Sequence, residues 1–170
     1  NTTDVLAENV EMINQNISTP KSVTYQLDSG YFQDIYDNDS NTAGKYVFIT
    51  LRADQIDSTG SNSFVEYLTA DSTSEKPTLE IVTDSGVQSM AHSDDQHIIE
   101  SSPLNYKWVG SNTARVGDDS NDKRFTYVIP FALPSMPGGS SKQNVTLSPY
   151  IESVTSFSSS NNVYIDVLGG

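Results

Sequence analysis

Arg124-Phe-Thr-Tyr-Val-Ile-Pro-Phe-Ala-Leu-Pro-Ser-Met-Pro-Gly-Gly139 decides the fold class of this chain. Its segment from Phe125 to Leu133 is the longest apolar run of the second half, dominated by β-branched and aromatic side chains. Such residues suit a pleated, half-buried surface, so the run reads as a strand, and Pro134, Pro137 and the Gly138-Gly139 pair break it. The same reading extends outward to residues 45–52 (Tyr-Val-Phe-Ile-Thr-Leu within), 64–69 and 78–82. Pro77 stands at the start of the last of these, where its missing N–H does little harm.

Further strands are expected at 21–27, 87–91, 96–100, 113–116, 144–157 and 163–168. In the first of these Val23, Tyr25 and Leu27 alternate to one side; in 144–157 Val145, Leu147, Pro149 and Ile151 do the same. Two short helices are expected. Asp28 can cap one whose buried face is Tyr31, Phe32, Ile35 and Tyr36. Val10, Ile13 and Ile17 give residues 10–17 the spacing of another, ended by Pro20. Many short strands between Ser-, Thr-, Asn- and Asp-rich turns predict an all-β chain: a β-sandwich or jelly roll with one or two short helices. Asp84-Ser-Gly86 is the best junction, dividing a segment 1–85 from a segment 86–170, the two together forming one sandwich unit.

Composition narrows the function. With 170 residues the chain can bury a real core, and nine Tyr, six Phe and one Trp supply packing bulk although apolar content is only 35%. A net charge of −13, with nine Lys and Arg in all, repels phosphate backbones and excludes nucleic acid as a partner. The same acidity favours solubility and attracts divalent cations. Cysteine is absent, so disulfide and thiol chemistry are excluded. No apolar run reaches the length of a membrane span, so membrane insertion is not expected. A chain starting Asn-Thr-Thr is expected to be a processed or excised product, and sequons at Asn1, Asn16, Asn38 and Asn144 are expected by chance in so Asn/Ser/Thr-rich a sequence.

Four stretches of the second half carry a family resemblance: Asn112-Thr-Ala-Arg-Val-Gly-Asp, Lys123-Arg-Phe-Thr-Tyr-Val-Ile-Pro-Phe-Ala-Leu-Pro-Ser-Met-Pro, Asn144-Val-Thr-Leu and Asn162-Val-Tyr-Ile-Asp-Val-Leu-Gly. They resemble the front half of DNRLRE-type modules, jelly-roll-like domains of bacterial secreted and surface proteins. Val5-Leu-Ala, Gly44-Lys-Tyr-Val-Phe-Ile-Thr-Leu-Arg, residues 67–71 and Lys76-Pro-Thr-Leu-Glu-Ile resemble the back half. The halves stand in swapped order, and Val145 replaces the alanine usual in the later strand. The resemblance implies a secreted or cell-surface location. Some members are carbohydrate-binding modules on polysaccharide-degrading enzymes, whereas many are tandem domains.

The swapped order implies a permuted unit or one shared with neighbours. In the shared case Val5, Leu6, Val163, Ile165 and Val167, on the first and last strands, are the expected assembly residues, since unpaired strand edges are satisfied by another chain. A head-to-tail contact of that kind that does not close gives a filament.

Candidate chemistry is sparse. Asp37, Asp39 and Asn41 have the alternate oxygens of a calcium loop, but Thr42 stands where glycine is needed and Phe48 where the bidentate Glu belongs. Asp118, Asp119 and Asp122 crowd a second acidic turn that a calcium ion would screen. For both, a hydrophilic turn is the competing reading. His92-Ser-Asp-Asp-Gln-His97 places its histidines on opposite faces of a strand, against one shared metal. Tyr106 and Trp108 would share one strand face as a stacking platform for a polysaccharide, with core packing the competing fate. Tyr25, Tyr46, Tyr127 and Tyr164 are expected to pack internally. With no Gly-x-Ser-x-Gly elbow, His-Glu-x-x-His helix or phosphate loop, the chain is not expected to be an enzyme. The leading expectation is a non-catalytic extracellular β-sandwich subunit whose partner is itself, and the alternative is a carbohydrate-binding module.

Overall fold

The computed structural model describes residues 4–13, 19–38, 42, 44–53, 63–91, 96–101, 105–109, 111–118, 123–136, 140–155 and 163–170; at 9, 12, 13, 91, 96–101, 105–109 and 163 it describes the backbone path alone. The chain opens with β1 (Asp4–Ile13), and β2 (Lys21–Ser22) and β3 (Tyr25–Leu27) lead into the helix α1 (Ser29–Asn38). Next come β4 (Tyr46–Ala53), β5 (Ser63–Leu68), β6 (Thr78–Thr83) and β7 (Gly86–Ala91). The second half supplies β8 (Gln96–Ser101), β9 (Asn105–Val109), β10 (Thr113–Asp118), β11 (Arg124–Ala132), β12 (Lys142–Ser148), β13 (Tyr150–Thr155) and β14 (Val163–Gly169).

These strands form an all-β sandwich with one short helix among the described residues. The large sheet runs β1-β14-β4-β11-β10-β5-β13-β2 and carries the β8–β9 hairpin on β11; the small sheet runs β3-β12-β6-β7. Strands of segments 1–85 and 86–170 interleave within both sheets: β14 lies between β1 and β4, and β12 between β3 and β6. The first and last strands pair with each other inside one chain, from Asp4↔Gly169 to Ile13↔Val163. Gly170 adds two 3.1 Å backbone hydrogen bonds with Phe48. The expected junction, Asp84-Ser-Gly86, is the turn of the β6–β7 hairpin. There the Thr83 hydroxyl accepts from Ser85 N–H and donates to Gly86 O, and Gly86 takes a φ of 133° that suits glycine.

Alternation builds the core. Val47, Ile49, Leu51 and Ala53 of β4 point inward beside Ile165 and Val167 of β14 and Tyr127, Ile129 and Phe131 of β11. The small sheet answers with Tyr25, Leu27, Leu79, Ile81, Val145 and Leu147. Fully burying an aliphatic side chain of this size contributes about 1.5–3 kcal/mol. One polar link spans the interior: the hydroxyls of Tyr25 and Tyr67, both buried, meet at 3.1 Å, and Tyr67 stacks on Tyr127 at 6.2 Å. Burial is the main force holding both hydroxyls neutral far above the ordinary 10.0.

The helix follows the expected pattern. Asp28 Oδ1 accepts from Gly30 N–H at 2.8 Å as the cap, Phe32 is wholly buried, and Tyr31, Ile35 and Tyr36 pack against the core. Residues 10–13 differ from expectation, since they continue β1 and do not begin a helix. The segment pairs with β14 through register shifts between Val5 and Ala7 and between Ala7 and Glu11. A bulge adds a residue without reversing the face, so Leu6, Ala7 and Val10 all reach the core from a strand. Ile17 lies outside the described residues.

Gly117, in the middle of a pairing and not in a turn, has a φ of 134°. A Cβ there would stand 2.1 Å from Ser63 O and 2.7 Å from Phe64 Cα. Gly117→Ala is expected to cost about 3 kcal/mol or more, combining left-handed strain with backbone displacement, as read by urea unfolding. The tyrosine pair makes a second prediction. The unfolded chain ionises both hydroxyls near pH 10 and the folded chain does not. Stability is therefore full below pH 10 and falls above it, by about 1.4 kcal/mol per pH unit per tyrosine. Unfolding midpoints measured between pH 8 and pH 11 should fall less steeply in a Tyr25→Phe/Tyr67→Phe variant; equal slopes would refute the assignment.

Candidate functional site

The small sheet ends at β7, whose second edge has no strand partner among the described residues. Exposed edges are normally guarded by charge, proline, a bulge or brevity. β7 reads Gly-Val-Gln-Ser-Met-Ala and pairs with β6 in unbroken register from Thr78↔Ala91 to Thr83↔Gly86, so it has neither charge, proline nor bulge. Met90 reaches the core, whereas Gly86, Val87, Gln88 and Ser89 are exposed, Val87 at 56%. An unguarded edge is notable in a chain carrying 22 acidic residues.

The other edges are guarded. β1 carries Asp4, Glu8 and Glu11 and two register shifts, and its Leu6 carbonyl already accepts from Asp28 N–H at 2.9 Å. β2 and β3 are two and three residues long. β9 contains Lys107 at its centre.

A second surface lies on the outer face of the large sheet. Tyr46 and Phe48 alternate outward on β4 at 50% and 47% exposure, opposite Ala132 and Pro130 of β11. Exposed Val5 stands on the same face across β14, its register partner being Leu168. Tyr46 was expected inside with Tyr25, Tyr127 and Tyr164. Tyr25 and Tyr127 are buried and Tyr164 is half-buried, but β4 faces inward with its odd-numbered residues, which turns Tyr46 out. The alternation Tyr-Val-Phe-Ile-Thr-Leu, with apolar residues on both faces, could have signalled this.

Among the expected assembly residues, Leu6, Ile165 and Val167 are buried in the core, Val5 is exposed, and Val163 pairs with Ile13. Tyr106 and Trp108 lie on β9 opposite Glu100 and Ile98 of β8, two residues apart as the strand reading required. Their side chains are outside the described residues, as are Asp39, Asn41, Asp119, Asp122 and His92. Asp37 belongs to the last turn of α1 and accepts from Gln33 Nε2 at 2.8 Å. Asp118 is the buried last residue of β10. Among the described residues no three acidic or imidazole side chains are grouped to hold a metal.

Two side-chain clusters were not foreseen. The Arg115 guanidinium lies 4.4 Å from the Phe64 ring centre and bonds Glu66 at 3.0 Å; Glu66 also accepts from Ser153 Oγ at 2.7 Å. Lys142 is buried, its ammonium donating to Ser140 O at 2.7 Å over the Tyr36 ring. The Tyr36 hydroxyl donates to Pro134 O, and burial pushes its pKa up to about 12. Each cluster satisfies its own polar groups and fastens a loop or strand. No protein-family model, curated protein or solved structure matches this chain.

Proposed function

We propose that the chain is a non-catalytic structural β-sandwich subunit of an extracellular or cell-surface assembly, joined to its neighbours by strand addition at β7. The unguarded edge carries this reading: an uncharged strand in unbroken register, with Val87 exposed and no strand partner on its second edge among the described residues, can offer N–H and C=O groups to another backbone. The pairing of β1 with β14 moves the expected contact from the termini to β7, because those strands already satisfy each other. The motif resemblance to DNRLRE-type modules of secreted and surface proteins supports the location and the tandem or polymeric setting. In this reading calcium is an optional staple at the acidic segments around Asp37 and Asp118.

Light scattering with negative-stain microscopy tests it, run with and without calcium. The wild-type protein should form species larger than a monomer, and Val87→Lys, which restores the usual guard, should return it to a monomer with unchanged thermal stability. A compact wild-type monomer at high protein concentration would overturn the proposal.

A second reading, a carbohydrate-binding module, is favoured by the outward pair Tyr46 and Phe48, whose rings can stack on an apolar ligand face. Glycan-array binding that is lost in Tyr46→Ala or Phe48→Ala supports it on β4; loss in Trp108→Ala alone places it on β9, and no binding removes it.

A further inference from the structure

We infer that the outer face of the small sheet is the docking face for a second copy of this chain, and that ionic strength gates the contact. This deepens the assembly reading above and rests on it. Register places the paired outward residues of the sheet. Gln26, Thr146, Glu80 and Ser89 form one row across β3, β12, β6 and β7, and Asn144, Val82 and Val87 form the next. Ser148 and Thr78 open a third row, where the Thr24 hydroxyl meets that of Ser148 at 3.4 Å. At the paired positions of this face Glu80 is the sole charged side chain among the described residues. Asp28 follows Leu27 at the β3 end of the second row, where it caps α1, and Asp84 stands in the β6–β7 turn.

The large sheet differs. Its outer face holds the cross-strand ion pairs Arg52–Asp166 at 3.2 Å and Arg115–Glu66 at 3.0 Å. Depletion of charge from one face of a chain with net charge −13 is a feature this face shares with interface cores, with Val82 and Val87 as its apolar contribution. Charge also selects the occupant. A basic partner would be met by carboxylates, which this face lacks apart from Glu80. A second copy carries the same −13, and a face poor in carboxylates lets it approach with the fewest like charges brought together. The face adjoins the β7 edge at Val87 and Ser89.

Two gating consequences follow from charge alone. Long-range repulsion between copies is strong when the screening length is about 30 Å, near 0.01 M salt, and small when it is about 8 Å, near 0.15 M. Added salt therefore strengthens this contact, whereas it would weaken the docking of a basic partner. Glu80, central in its row, opposes contact through its own charge.

Sedimentation equilibrium of the whole chain from 0.01 to 0.5 M sodium chloride tests the inference, with Glu80→Gln, Thr146→Asp and Val87→Lys beside the wild type. The association constant is expected to rise with salt, to be up to roughly five-fold higher in Glu80→Gln at low salt, and to fall by a comparable factor in Thr146→Asp. Association that is lost in Val87→Lys but unmoved by Glu80→Gln and Thr146→Asp would overturn the face while leaving the edge reading intact. Association that weakens with salt would overturn the gating. A monomer at every salt concentration would overturn both readings.

Discussion

One antiparallel ribbon belongs to both sheets, and the rest of the sandwich is arranged around it. β3 and β12 pair Leu27 with Val145 and Tyr25 with Leu147 in the small sheet; β2 and β13 pair Ser22 with Tyr150 and Lys21 with Ile151 in the large one. These pairs share a single register, so residues 21–27 and 145–151 form one continuous ribbon that leaves one layer and enters the other. Buried Pro149 sits at the crossing, where its missing N–H removes a ladder bond, and its carbonyl accepts from Val23 N–H at 3.2 Å. Beneath the crossing, the Tyr25–Tyr67 hydroxyl bond ties the layers. Breaking it would leave a buried hydroxyl unsatisfied, at about 1–3 kcal/mol.

That constraint explains why the chain can interleave its halves. With the corner fixed, β6 adds to β12 and β5 adds to β13, so the first half's strands find partners from the second half on both layers. The large sheet then extends through β10, β11 and β4 to β14, which is flanked on both edges, by β4 and by β1. A strand so flanked cannot be given to a neighbour without opening the core at Ile165 and Val167. The small sheet has no such extension among the described residues. It stops at β7, two strands beyond the ribbon, and there one edge has no strand partner among them.

Much of this was legible in residues alone. Runs of β-branched and aromatic residues located the strands at 46–53, 78–83 and 124–132 to within a residue or two, because such side chains suit a pleated surface and turn residues follow each run. Asp28 announced the helix for a local reason, since a cap needs only its own next turn. What escaped was long-range. Nothing in Val10 and Ile13 says that a strand from the far end of the chain will pair with this segment, and its bulges exist only in that pairing. The division of 144–157 at Pro149 was hidden for the same reason: Val145, Leu147, Pro149 and Ile151 keep one burial phase across two sheets. Exposure was least legible. Tyr46 and Tyr127 sit in equally apolar strands, and only register with β11 turns one out and the other in. The β7 edge lay in a segment read as an ordinary short strand, although its lack of charge was already visible.

Symmetry limits what such a molecule can build. A single open edge that pairs with its own copy gives an isologous contact, which closes as a pair and leaves nothing to propagate. Growth beyond a pair requires a second, different surface. Val5, Tyr46 and Phe48 lie on the opposite layer, where the large sheet shows its outer face. A unit whose terminal strands are locked into its own sheet, with a charge-poor face on one layer and an aromatic strip on the other, has the two unlike surfaces that a propagating assembly requires. The small-sheet face alone would make the protein a dimer. Only engagement of the Tyr46–Phe48 strip by another molecule, whether protein or polysaccharide, would connect those dimers into something larger.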